Sequence, residues 1–105
     1  MYVLVRNMKV KKGFQKEMVE RFLTPGPMVK SPGFVKAELL LMSSAKEEFD
    51  LYRQTIYWQD KKAFYIWEGS PEHIALHKNK DHAHNQRPEE IVEVTREAFE
   101  LIATK

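Results

Sequence analysis

The chain contains no cysteine. That single absence excludes disulfide staples, thiolate metal sites and a cysteine nucleophile. Glycine and proline are sparse, at 4 and 5 in 105 residues, and there is no internal repeat, low-complexity tract or interdomain linker. An excess of charge of one sign is also missing. Lys and Arg total 17 against 15 Asp and Glu, for a net charge of +2, so no long-range field draws the chain to nucleic acid or an anionic membrane. No apolar run approaches the ~18 residues of a membrane span, and the N-terminus lacks the tripartite pattern of a signal peptide, so a cytoplasmic location is expected. There is no dinucleotide fingerprint, phosphate-binding loop or nucleophile elbow. The aromatics interleave with core positions rather than with a basic stripe, so no nucleic-acid partner is expected.

What is present is an ordinary globular composition, 43% hydrophobic and 30% charged, over a length that makes one domain, residues 1–105. "YVLVRNMKV" (2–10) alternates and is β-branched, which predicts a first strand. "KKGFQKEMVERFL" spaces Phe14, Met18 and Phe22 by four, the stripe of an amphipathic helix. "TPGPMVKSPGF" holds three prolines and two glycines and reads as a loop. "FVKAELLLM" (34–42) and "FDLYRQTIYW" (49–58) predict a hairpin of strands. Asp60 suits the N-cap of "KKAFYIW", and Ser70 followed by Pro71 suits the start of a further helix running through His77. The tail "EEIVEVTREAFELIATK" has helical spacing at Ile91, Ala98 and Leu101. A βαββαβ sheet still lacks one strand at that point, so topology predicts a strand there against the local periodicity.

Three side chains stand out. Asn7 shares a strand face with Val3 and Val5. It can be an amide bonded to neighbouring backbone, or one held ready for a ligand. Trp67 continues the apolar stripe of Phe64, which fits a core residue. His77 lies two turns into its helix, where a histidine can be structural, exposed or a ligand. His73 and His77 are four apart, with His82 and His84 beyond, but no His-Glu-x-x-His pattern is present, which leaves little support for a protein-only metal site.

Taken together, "RNMKVKKGF", "ERF", "SPGF", "YWQDKKAFYIW" and "HIALHKNK" resemble the heme-degrading monooxygenases of the iron-regulated surface determinant type. These belong to the antibiotic-biosynthesis-monooxygenase-like proteins. The resemblance covers nearly the whole chain and is weakest at residues 43–48 and in the tail. Single fragments are shared across the wider superfamily; the combination of Asn7, Trp67 and His77 is the specific feature. The resemblance implies an α+β, ferredoxin-like βαββαβ fold that pairs into a dimeric α+β barrel. It implies that His77 is the axial ligand of heme iron, that the Asn7 amide faces the distal side, and that Trp67 presses the porphyrin out of plane. Heme would be both substrate and cofactor, with O2 as oxidant and with ring opening releasing iron. Electrons would come from an external reductase or small reductant, since no flavin or nicotinamide motif is present. Phe22 and Phe64, with Val3, Val5, Met18 and Ile74, would line the heme slot. Leu4 and Met8 would face the barrel interior, and Lys78 or Arg21 could meet the propionates. Two other classes stay open: a heme carrier or sensor without turnover, and a cofactor-independent monooxygenase acting on an aromatic or quinol. Loss of a heme absorption band with reductant in air separates the enzyme from the carrier. Indifference to hemin marks the third class.

Overall fold

The computed structural model describes residues 1–42, 47–82 and 88–105, with residues 77–82 described by their backbone alone. The elements run β1 (Tyr2–Lys11), α1 (Gln15–Leu23), a 3-10 turn (Pro27–Lys30), β2 (Phe34–Met42), β3 (Phe49–Trp58), α2 (Lys61–Glu68), α3 (Pro71–His82) and β4 (Ile91–Glu100). The strands form one sheet in the order β2-β3-β1-β4, and every neighbouring pair is antiparallel. This is the expected ferredoxin-like βαββαβ arrangement. The tail is a strand: β4 completes the sheet by pairing with β1, a tertiary gain that outweighs its helical periodicity.

Strand parity decides which residues meet the helices. Tyr2, Leu4, Arg6, Met8 and Val10 share one face of β1. The register sets Met8 opposite Tyr52 and Tyr2 opposite Trp58. At one end of this face Met8, Val10, Tyr52 and Ile91 bury against Met18 of α1, with Phe14, Leu39 and Val94 packed around them. At the other end the Phe64 ring of α2 lies 5.7 Å from Tyr2 and 6.0 Å from Trp58, and Phe34 meets Trp58 edge-on. Trp58 is fully buried. Two caps fix the helix starts as expected. Asp60 Oδ1 accepts the Ala63 N–H at 2.8 Å, and Ser70 Oγ accepts the His73 N–H at 3.2 Å.

The opposite face of the sheet carries Val3, Val5, Asn7 and Lys9 of β1, with Leu51, Arg53, Thr55 and Tyr57 of β3 across from them. The sheet contacts of Met18 and Phe64 are made on the other face, although Val3, Val5 and Thr55 are also buried here, at 8% exposure each. The expected assignment of faces is therefore reversed: Leu4 and Met8 lie beneath the helices, whereas Val3 and Val5 lie on the open face. Both sets are apolar, and only the docking of α1 and α2 distinguishes them.

Tyr52 shows what burial beneath α1 costs. Its hydroxyl is out of solvent and has no hydrogen-bond partner among the described residues. Burial, then the nearby Asp50 and Glu17 carboxylates, raises its pKa above the ordinary value of 10.0. The unfolded chain therefore loses this proton first as the pH rises. The stability Tyr52 contributes is present below about pH 10 and is lost above it. We expect Tyr52→Phe to be neutral or to stabilise by up to about 1 kcal/mol near neutral pH, because it removes an unpaired polar group. Urea denaturation followed from pH 7 to about 11 should show a shallower alkaline fall in the variant.

Candidate functional site

The helices do not cover their face of the sheet evenly. Between the end beneath α1 and the end beneath α2, Leu4, Arg6, Gln54 and Ile56 are only half-buried, and Arg96 and Ala98 of β4 are exposed. From Tyr2 to Met8 this floor spans about 20 Å at 3.4 Å per residue. It is a slot with an apolar floor and one polar rung, open toward the edge strand β4. A separate crevice of about 160 Å³ lies at the sheet end between Tyr2, Asp60 and Glu100. That crevice is below the roughly 300 Å³ at which small-molecule sites begin, and it holds none of the expected site residues.

Phe22 is half-buried one turn beyond Met18 on the same stripe of α1, and Phe64 is half-buried beneath α2. Trp67, three residues after Phe64 and thus on the same side of α2, is buried at 6% exposure. Its ring centroid is 5.2 Å from that of His73. Ser70 holds the corner between α2 and α3: its hydroxyl donates to the Trp67 carbonyl at 2.7 Å while capping α3. His73 Nδ1 lies 2.7 Å from the Glu68 carbonyl, and since a carbonyl only accepts, that nitrogen carries the proton. His77 falls one helical turn after His73 on the backbone of α3. Its side chain lies outside the described residues, as do those of Lys78, Lys80 and His82; His84 and Arg87 lie outside them altogether. No group of three potential metal-ligating side chains occurs among the described residues.

Asn7 is not brought to this slot. It points to the open face, where the Arg53 Nε–H donates to its Oδ1 at 2.9 Å. Its own amide nitrogen donates to Glu97 Oε1 at 2.9 Å and to Thr95 Oγ1 at 3.4 Å. A carboxamide has two N–H donors, and both are committed here. The structure therefore joins Trp67 and α3 at one corner but leaves Asn7 on the other side of the sheet. The β1 side chain at mid-strand that faces the slot is Arg6. Arg21, an expected propionate partner, is engaged with Glu90 at 3.2 Å and with Met18 Sδ. We expect Asn7→Ala to cost about 1 kcal/mol through the broken three-strand network and to leave hemin binding within about twofold of wild type. Denaturant unfolding and a hemin titration of the same preparation check both halves.

The polar rung of Arg6, Gln54 and Arg96 was not singled out from sequence. Three separated residues become one cross-strand row only when the register is known.

A four-stranded antiparallel sheet with helices packed on one face defines a ferredoxin-like α+β domain. Residues 1–79 match the antibiotic biosynthesis monooxygenase family, and the chain belongs to that family. It is 33% identical over 81 residues to a heme oxygenase (staphylobilin-producing) of Staphylococcus haemolyticus, covering 77% of each chain. It is 32% identical over 78 residues to the heme-degrading monooxygenase HmoA of Bacillus subtilis, over 74% of this chain and 71% of that one. Among solved structures, a Bacillus cereus protein described as an antibiotic biosynthesis monooxygenase superposes with a TM-score of 0.79 at 24% identity. That match covers 99% of this chain and 95% of the other.

Proposed function

We propose that this protein is a heme-degrading monooxygenase that binds heme in the slot between α1, α2 and the sheet. The observation that carries the reading is the uncovered apolar floor bordered by the Phe64–Trp67 stripe, with α3 and its histidines following directly from the Trp67 corner. It is supported by the two relatives that are themselves named for heme degradation. The residues present fit the group. Leu4 and Ile56 offer a flat apolar surface, aromatic side chains stand at its border, and a histidine lies on the adjoining helix. When bound, heme supplies both the oxygen-activating iron and the ring that is opened, with electrons from an external reductase or small reductant.

The chain's own contribution is binding, orientation and exclusion of water. His77, one turn after His73 on α3, would hold the iron through an imidazole nitrogen. Trp67, with its backbone locked by Ser70, gives a rigid aromatic edge against which a ring can be distorted. Phe22 and Phe64 close the apolar border and keep water from the ring face. Asn7 has no part in this site. A second copy covers the open sheet face. That face exposes Leu40 at 50%, Met42 at 66% and Phe99 at 49% and carries both cationic and anionic side chains, as a self-complementary twofold interface requires.

Titration of the protein with hemin tests the reading. A saturable shift of the heme absorption band at one equivalent per chain supports it; free-hemin behaviour throughout the titration contradicts it.

A further inference from the structure

The Trp67 ring is held by a neighbour to which the proposed chemistry gives no part. Its backbone is fixed by Ser70, whose N–H and hydroxyl both donate to the Trp67 carbonyl, at 3.0 and 2.7 Å. A fixed backbone still leaves the ring angle open, because the torsion that turns an indole has a broad minimum. Contact is what limits it. The His73 ring stands against that of Trp67 with the planes tilted by 58°, in the range of separations at which aromatic rings attract. His73 is itself restrained, since its Nδ1–H donates to the Glu68 carbonyl at 2.7 Å, at the last residue of α2. The imidazole is thus tied to the helix that carries Trp67 while belonging to the helix that carries His77. The neighbouring side chains of α3 bury little. Of residues 71–76 only His73 is not exposed, and the apolar Ile74 and Leu76 are 55% and 40% exposed.

We propose that His73 is a positioning residue for Trp67, and that by fixing the indole it sets which bridge of a bound tetrapyrrole is opened. The proposal rests on the heme reading and deepens it. The macrocycle has four bridges, and an indole pressed against one side of the ring makes them unequal to attack. A product ratio is set by the difference between two barriers, so a tilt too small to disturb the fold still moves it severalfold. The two restraints have separate parts. The ring contact fixes where the indole stops, and the tether to Glu68 keeps the imidazole from rocking with it. His73 also lies one helical turn before His77 on α3. The same residue therefore spaces the pressing ring from the helical turn that would hold the iron.

The experiment compares wild type with His73→Leu, which lacks both restraints, and His73→Phe, which keeps a ring without the tether. The first readout needs no ligand. With fluorotryptophan incorporated, fluorine NMR gives one signal for each of the two tryptophans, and Trp67→Phe assigns them. His73→Leu should shift or broaden the Trp67 signal and leave that of Trp58, which packs against Phe34 and Phe64, in place. The second readout is the ratio of ring-opened isomers formed from one equivalent of hemin with ascorbate and catalase in air. His73→Leu should move that ratio by about threefold or more, and His73→Phe by less, while both bind hemin within about tenfold of wild type. A residue that only braces the corner would lower the melting temperature when replaced and leave the ratio unchanged. An unmoved Trp67 signal or an unmoved ratio in His73→Leu would overturn the positioning role and leave the heme reading intact. If His73→Leu does not fold, His73→Phe decides by the same two readouts. Wild type that binds no hemin, or binds it and forms no ring-opened product, would overturn the heme reading and this proposal with it.

Discussion

Replacement of His77 by alanine is expected to weaken hemin binding by on the order of a hundredfold or more and to abolish the saturable band shift, while far-UV circular dichroism stays that of wild type. Loss of a group that merely orients a metal ligand already costs about 10–100-fold in affinity, and on the proposed reading loss of the residue that would hold the iron should cost at least as much. The fold should not suffer, because His77 lies in the middle of α3, where alanine is the best helix former. His73 is the natural control. Its Nδ1 is 2.7 Å from the Glu68 carbonyl and its ring stands against Trp67, so it is held by the corner between the two helices. We expect His73→Ala to loosen that corner and weaken hemin binding only severalfold. A spectrophotometric titration of both variants beside wild type gives the answer. If His77→Ala bound hemin with an unaltered spectrum, the assignment of His77 would fail.

The largest stability effect is expected at Gly33. Its φ is +86°, a region that residues with a side chain enter at a cost. A Cβ built there would also run into the Ala63 side chain of α2. Two adjoining contacts hold the same place: the Gln59 N–H donates to the Gly33 carbonyl at 2.7 Å, and the Phe34 N–H donates to the Ser31 carbonyl at 3.1 Å. Gly33 thus seats the loop that opens β2 directly against the first turn of α2. Gly33→Ala combines left-handed backbone strain with overpacking and should destabilise by about 2–4 kcal/mol. Equilibrium urea unfolding of wild type and variant measures it. A loss below about 0.5 kcal/mol would mean that the loop relaxes without consequence. Gly13 makes a useful contrast, because its φ is also positive but a Cβ there meets nothing within 4 Å. The same substitution at Gly13 should cost only the backbone component.

Much of the fold could be read from local chemistry. The spans of β2 and β3 follow from alternation between clear breakers, and the Asp60 and Ser70 caps mark the starts of α2 and α3. The tail was legible only through topology, since Ile91, Ala98 and Leu101 alone describe a helix. The faces of β1 were not legible. Its sequence is apolar on both sides, with Val3 and Val5 on one and Leu4, Met8 and Val10 on the other. Which side the helices take depends on Met18 docking against Met8 and Val10, a tertiary event without a local signature. That ambiguity carried Asn7 to the wrong side of the sheet. A residue in mid-strand belongs to a slot only by parity, and one position of difference hands the place to Arg6. The same limit hid the rung, because Arg6 and Arg96 are ninety residues apart and meet only through the pairing of β1 with β4.

The most direct test of heme degradation in this slot is a single-turnover reaction. Protein loaded with one equivalent of hemin is given ascorbate in air, with catalase present to remove hydrogen peroxide, and iron release is followed with a ferrous chelator. If the protein degrades heme, the heme absorption band decays, close to one iron per heme is released, and His77→Ala does neither beyond the rate of free hemin. A bound heme whose band survives reductant and oxygen, with no iron released, would contradict the enzyme and leave a heme carrier in its place.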